Sequence, residues 1–456
     1  MPRKSALGPY DQRKKVRRCE NCASRKVKCV GDIPCQLCIR TGKPCQRQSS
    51  EPSQAVFVLY EEKKSGMLLP KQMTTDAKTV YVDYFVTFLR RNQFAHCANA
   101  LVEDLLPLVN TSPLLSSIIS AIGALDASRH GTRASYANVE TPRFLAFESY
   151  SSSIRSLSIA LLDPMVSQRD DVLWATFFLG LFELMVDPSG DGWTKHMLHG
   201  TSRLLQAAGP DQIITASRTA FLKVFRIFEA NRAVLYGEDT ILSSTDWAPL
   251  FSMYQHGYKD GRDGLSRVSS FMVQISIFNT RFYQYVASVA SFDGFDPFLE
   301  HFGLEAATIQ NEISTLQAQT INTGLLGFPS LEYYQILLYC HTMSIFLFNT
   351  FDYYHCWHLD HSPYMSAQET GRHVDQISRL ADLILNTPGG SGILLIFPLR
   401  VAGTRADTDL QKAKVLDLLD RIARCGFIVA NRIRDDVEDL WGWKANSLDL
   451  PSKSAN

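Results

Sequence analysis

Apolar residues recur at intervals of three and four along most of the chain beyond residue 76. In the segment 76–92, Val80, Tyr84, Phe85, Phe88 and Leu89 follow this spacing, which places their side chains on one face of a helix. The same pattern predicts helices over 112–128, 142–162, 170–186, 193–208, 217–235, 265–288, 296–318, 331–349, 366–386 and 409–440. No series of alternating apolar and polar residues predicts a strand. Residues 76–445 are therefore expected to form a large all-α domain.

The most apolar stretch runs from Leu173 to Val186 and is interrupted by Glu183. A helix that spans a membrane needs about 20 predominantly apolar residues, and this stretch is shorter than that. It is therefore predicted to be a buried helix, and no membrane partner is expected.

The residues on either side of the helical region have a polar, mixed composition. Residues 46–75 are predicted to be a linker and residues 446–456 a polar tail. No sustained heptad repeat occurs after the N-terminal segment, so no coiled coil is predicted there. This leaves two arrangements open, a monomer or a homodimer formed through the large domain.

Charge divides a chain that is neutral as a whole, with 46 basic and 46 acidic residues. Residues 1–48 contain 13 Lys or Arg and three acids, a net charge of +10, so the remainder carries −10. A local positive field of this kind attracts nucleic-acid phosphate. Residues 1–18 are interpreted as a basic arm, and 13–18 (RKKVRR) are typical of a nuclear localisation signal.

The same N-terminal segment contains six cysteines with the spacing C-x2-C-x6-C-x5-C-x2-C-x6-C. They are Cys19, Cys22, Cys29, Cys35, Cys38 and Cys45. Zinc takes four ligands in a closed structural site, so two zinc ions have eight ligand places and two of six thiolates must bridge them. A segment this short cannot fold on a hydrophobic core, so metal binding would supply its folding free energy.

Clustered cysteines have two other common uses. A disulfide knot needs an oxidising compartment, and the chain begins with a polar, basic segment that has no apolar secretory signal. An iron–sulfur cluster fits this spacing poorly. Zinc is therefore the expected cofactor.

The two halves of the cysteine repeat differ in the residues after each C-x2-C. Residues 23–28 contain no Gly or Pro and can form a helix, whereas Gly42 and Pro44 end a helix early in the second half. The first half therefore offers the better recognition helix, with Arg25 and Lys26 near its centre. Such side chains donate to guanine in the major groove.

The cysteine spacing resembles that of the fungal zinc binuclear cluster transcription factors at all six positions. The resemblance implies that Cys19 and Cys35 bridge two zinc ions, that Cys22 and Cys29 complete one site, and that Cys38 and Cys45 complete the other. It also implies that Arg25 and Lys26 read CGG triplets. Basic residues around them are expected to contact phosphate: Lys28, Arg17, Arg18, Arg40 and Lys43. Ala23 departs from the family, which often has Arg there.

The helical region resembles the fungal-specific transcription factor domain. The resembling stretches are FLGLFELMVDPSGDGWTKHMLHGTSRLLQAAG, FPLRVAG and a closing DDVEDLWGWKA. The resemblance implies a regulatory domain that contacts the transcription machinery or coactivators. By analogy with other compact regulators, the targets are expected to include a biosynthetic gene cluster.

Two further motifs suggest other chemistry. Residues 355–361 (HCWHLDH) resemble a second metal site, but they lack the usual sequence context of a zinc finger. Residues 435–439 (DDVED) resemble a magnesium-binding DDxxD motif, but no second acidic motif with the required spacing accompanies them. With the neighbouring Trp441, the same acids also suit an activation motif. For residues 435–439, a packed final helix is preferred to both the magnesium-binding and the activation interpretation.

The sequence as a whole predicts a small zinc-cluster module of two short helices over 19–45, ahead of the large helical domain. The predicted function is a nuclear, sequence-specific transcription factor of the RNA polymerase II type, not an enzyme, that binds double-stranded DNA. The alternative is an adaptor that uses its zinc cluster for protein contacts without reading bases.

Overall fold

The computed structural model describes two compact units, Met1–Lys71 and Gln72–Asn456. The residues that it describes are 19, 34–42, 45–46, 73–94, 98–130, 140–212, 215–237, 240–247, 249–250, 264–289, 296–324, 327, 329–353 and 364–448. Within the first unit, the described helix is α1, Gln36–Thr41.

The second unit is built from helices. Their bounds are α2 Met73–Arg91, α3 Ala98–Thr111, α4 Pro113–His130, α5 Glu140–Ala160, α6 Asp170–Val186, α7 Asp191–Lys195, α8 Ser202–Ala208, α9 Ala216–Tyr236, α10 Gly264–Ser288, α11 Pro297–Gly324, α12 Leu331–Tyr353, α13 Ala367–Asn386, α14 Ile396–Arg405, α15 Asp409–Arg424 and α16 Val429–Leu448. A π-helical turn, His196–Thr201, joins α7 to α8. No strand occurs in the described ranges, which confirms the predicted all-α class.

Two helices of the structure are absent from the sequence prediction, and each of them contains a proline. Helix α3 continues through Pro107, since Val102, Leu105 and Val109 are buried and their burial outweighs the lost backbone hydrogen bond. In α14, Pro398 lies in the first turn, where the backbone N–H has no intrahelical partner in any case.

The segment 409–440, predicted as one helix, is two. Helix α15 ends at Arg424, and Gly426 adopts φ 114°, a conformation that L side chains rarely adopt. The chain turns here, and α16 begins at Val429. Arg129 donates to the carbonyl oxygens of Gly426 at 2.7 Å and Met185 at 2.6 Å. The Arg129 guanidinium therefore links the turn to the C-terminal end of α6 through hydrogen bonds.

One continuous hydrophobic core runs through the second unit, from Tyr81 to Val437. Helix α4 packs against α2, α5 and α6, while α12 packs against α10, α11, α13 and α14. Helix α9 contacts both α6 and α10 and so joins the two groups. The close approach of α2 to α4 needs Gly123, because a Cβ atom there would lie 1.8 Å from the carbonyl oxygen of Tyr81.

Helix α6 lies at the centre of the first group of helices and is buried on nearly all sides. Its Trp174 stacks on Phe178 and meets Phe221 edge to face, with ring centroids 5.5 and 4.8 Å apart. The predicted buried helix is therefore confirmed. Among the residues that the structure describes, no helix has the length and apolar character needed to cross a membrane.

Candidate metal centre

The second C-x2-C of the repeat is held by helix α1. Cys35 occupies the N-cap position, and the N–H of Ile39 donates to its carbonyl oxygen at 3.1 Å. Cys38 lies in the first turn, so both thiols lie near the beginning of the helix. Gly42 ends the helix with φ 60°, which confirms the predicted early stop in this half of the repeat.

Four sulfur atoms converge beside this helix. The Sγ atoms of Cys19, Cys35, Cys38 and Cys45 all lie within 4.8 Å of one another. The Sγ of Cys19 is 3.8 Å from that of Cys35 and 3.7 Å from that of Cys38. Zn–S bonds of about 2.3 Å in a tetrahedron separate the sulfur atoms by about 3.8 Å, whereas a disulfide holds them about 2.05 Å apart. The donor set therefore fits zinc and does not fit a disulfide.

The environment of these sulfur atoms disfavours thiolates unless a cation is present. Cys19, Cys35 and Cys38 are buried, and Cys45 is partly buried. The backbone N–H of Cys35 donates to Cys45 Sγ at 3.2 Å and lowers the pKa of that thiol. Burial and the neighbouring thiols outweigh this effect and raise the pKa of Cys45 to about 12. Four thiolates can share this space only if positive charge compensates them.

The four convergent cysteines are the ones that the resemblance assigned to a single zinc ion, with Cys19 and Cys35 as the bridging pair. The residues assigned to the other zinc and to the bases lie outside the described residues: Cys22, Cys29, Arg25, Lys26, Lys28, Arg17, Arg18 and Lys43. Arg40 is described and lies exposed on α1, beside Ile39, whose side chain is 64% exposed. The cationic side chain of Arg40 is thus accessible to a partner.

The acidic motif 435–439 lies on α16 and is engaged by arginines. Asp436 accepts from Arg432 at 2.9 Å, and Glu438 lies 3.5 Å from Arg434. Trp441 donates its indole N–H to the carbonyl oxygen of Gly403 at 2.8 Å. The arrangement is that of a packed final helix, in agreement with the preferred interpretation. Residues 355–361, the other candidate metal site, lie outside the described residues.

Sequence reasoning missed a second polar site, in the large unit. His341 and His373 face each other with their Nδ1 atoms 3.1 Å apart. They lie on different helices, α12 and α13, and no motif spacing relates them. The only hint in the sequence is the repeated placement of Arg372, Gln376 and Arg379 along one side of α13.

In sequence order, a sulfur centre that fits zinc is followed by an all-α domain, which is the organisation expected of a zinc-cluster transcription factor. Comparison with family models supports this class in both parts of the chain. The Fungal Zn(2)-Cys(6) binuclear cluster domain matches residues 17–55, and the Fungal specific transcription factor domain matches residues 80–448. The chain belongs to the family of fungal transcription factors that these two domains define. Neither the curated proteins nor the solved structures yielded a match.

Membership of this family defines the chemistry of the metal centre. The cluster domain binds two zinc ions, and zinc supplies the positive charge that the crowded thiolates need. Both matched families are transcription-factor domains and not enzymes. A ligand set made only of cysteines is typical of structural zinc, which holds a short segment in one conformation.

Proposed function

We propose that this protein is a nuclear transcription factor that recognises CGG half-sites in double-stranded DNA. In this proposal the arm 1–18 and the cluster 19–45 bind DNA. Residues 46–75 link the cluster to the large domain, and residues 76–445 form the domain that regulates transcription. Arg25 and Lys26 read the bases. Control of a biosynthetic gene cluster is part of the proposal that rests on family resemblance alone.

The observation that carries the proposal is the coincidence of the metal centre with the charge. The cysteines that fit zinc lie within the segment 1–48, whose net charge is +10, although the whole chain is neutral. Six thiolates and two Zn²⁺ ions together carry a net charge of −2, so the metallated segment stays strongly cationic. Such a segment is suited to binding phosphate, and its affinity should fall as salt rises.

The adaptor alternative differs from this proposal in its use of charge. An adaptor that binds proteins through the cluster has no need of a cationic surface around the metal. Exposed Arg40 on α1, together with the basic arm, therefore favours nucleic acid as the partner. Coactivator contacts and a homodimer through the large unit complete the proposal.

Substitutions in the first half of the cluster test base reading. Arg25→Ala and Lys26→Ala should each weaken binding to a CGG duplex by about 1–3 kcal/mol, or about 5- to 150-fold, and relax discrimination at one position. Each change removes donors to guanine O6 and N7. Fluorescence anisotropy on CGG and scrambled duplexes at fixed salt measures both effects.

Two phosphate-contact candidates provide the controls. Lys28→Ala and Arg40→Ala should weaken binding to the CGG duplex and to the scrambled duplex by the same factor. Each should also reduce the slope of log affinity against log salt concentration by about one. If Lys26→Ala leaves the ratio of the two affinities unchanged, the recognition helix has been assigned wrongly. If all four variants act alike, the protein binds phosphate without reading bases.

A further inference from the structure

A cleft of about 560 Å³ opens between α11, α12 and α13 in the large unit. Its apolar walls are formed by Ile321, Leu337 and Leu380, with Tyr333 beside them. Polar side chains complete the lining: Gln317, His341, Glu369, Arg372, His373, Gln376 and Arg379. A cavity of this size that combines apolar walls with a few convergent polar groups is typical of small-molecule sites.

Both histidines of the cleft are neutral at physiological pH. Burial, helped by the nearby His373 and Arg379, lowers the pKa of His341 to about 3. Burial also lowers the pKa of His373, although the backbone of His341 and the carboxylate of Glu369 partly oppose it. Each imidazole therefore carries a single N–H and one acceptor nitrogen.

The hydrogen bonds of the pair set the direction of those N–H groups. Gln317 Nε2 lies 3.3 Å from His341 Nε2, and an amide nitrogen can only donate. With Gln317 as the donor, the proton of His341 lies on Nδ1, and in this tautomer His341 donates to His373 Nδ1 across 3.1 Å. The remaining N–H of the pair is the Nε2–H of His373, on a side chain that lines the cleft.

Two arginines add positive charge to the same cleft. Arg372 and Arg379 are exposed and lie two turns apart on one side of α13. Gln376 accepts from Arg379 Nε and Nη2 at 3.1 and 2.9 Å, which fixes that guanidinium. The one acid in the lining, Glu369, is engaged by the backbone N–H and hydroxyl of Ser366 in the capping box of α13.

We propose that this cleft binds a small organic anion, in which a carboxylate or phosphate group is attached to an apolar body. Arg372 and Arg379 pair with the anionic group, His373 donates a hydrogen bond to it, and the apolar walls take the body. Arginine suits both anions because its N–H groups match their oxygen atoms in pairs.

A metal ion suits the cleft less well. Within the described part of the chain, the only group of three or more metal-ligating side chains is the cysteine cluster. The histidine pair offers two nitrogen atoms, and the proton that they share occupies the space between them. Two positive guanidinium groups beside the pair also disfavour a cation.

The site is independent of the proposed DNA recognition, so it is tested by ligand binding to the full-length zinc protein. Calorimetry would compare benzoate and phenyl phosphate with the neutral benzamide. For a ligand of this size we expect a Kd on the order of 1 mM for at least one anion, and at least tenfold weaker binding of benzamide. The ¹³C-labelled His341 and His373 resonances should shift with the anion and not with benzamide.

Variants locate the binding. Arg372→Gln and Arg379→Gln should each weaken binding of the anion at least about fivefold, because each removes one charged hydrogen-bond partner. Arg155→Gln, a matched change at an exposed position on α5, should have no effect. The proposal is overturned if neither anion binds or if the double variant R372Q/R379Q binds as the wild type does. It is also overturned if Arg25→Ala abolishes binding, which would locate the anion on the basic N-terminal segment, or if Zn²⁺ alone shifts the histidine resonances.

Discussion

Cys35→Ser is expected to remove both zinc ions from the cluster and to weaken DNA binding at least 100-fold. The family resemblance assigns Cys35 as a bridging ligand, and its Sγ lies 3.8 Å from the Sγ of Cys19 in the observed sulfur cluster. Structural zinc contributes roughly 10–16 kcal/mol to the folding of small zinc modules. The module has no hydrophobic core to replace that contribution.

Metal analysis and DNA titration of the same preparations measure the effect. The wild-type chain should hold two zinc ions, and chelation should reproduce the loss of DNA binding. Cys425→Ser is the matched control, because Cys425 is an exposed free cysteine in the large unit. A Cys35→Ser protein that keeps two zinc ions and full affinity would contradict the two-zinc centre.

The second large effect concerns the core of the large unit, where Arg232→Met should lower the free energy of unfolding by about 3–5 kcal/mol. Arg232 and Glu229 are both fully buried on α9, and Arg232 donates to the two carboxylate oxygens at 2.9 and 2.8 Å. Thr240 also donates to Glu229 at 2.8 Å. Without the guanidinium, a buried carboxylate loses its charged partner.

Chemical denaturation of the wild type and four variants tests this prediction. The double variant Glu229→Leu/Arg232→Met should be less destabilised than the sum of the single variants, because it leaves no buried charge uncompensated. Arg432→Met breaks the more exposed ion pair with Asp436. It should lower the free energy of unfolding by at most about 1 kcal/mol. Equal losses at Arg232 and Arg432 would show that burial of the α9 pair has no energetic consequence.

The helical class could be predicted because the spacing of apolar residues is a local property of the chain. Helix α6 illustrates this, since its long apolar run led directly to a buried helix. The prediction omitted the helices that contain Pro107 and Pro398, since proline disfavours a helix interior and the apolar spacing around it is less regular. At Pro107 the surrounding core decides the outcome, and the core is a long-range property.

The cysteine cluster and the histidine cleft differ in the same way, since one depends on local sequence and the other on tertiary packing. The cysteines lie close in sequence at a spacing that zinc requires, so they could be found without coordinates. His341 and His373 meet only because α12 packs on α13, and neither residue has a distinctive sequence context. Pairings of this kind depend on tertiary packing and therefore cannot be predicted from spacing.

Reading of CGG sequences by the zinc cluster is tested by selection from a random duplex library with the full-length, zinc-loaded protein. We expect enrichment of CGG half-sites, lost when zinc is chelated and retained in Cys425→Ser. Enrichment of no motif, of a motif without CGG, or of CGG in the chelated protein would contradict CGG reading by the cluster.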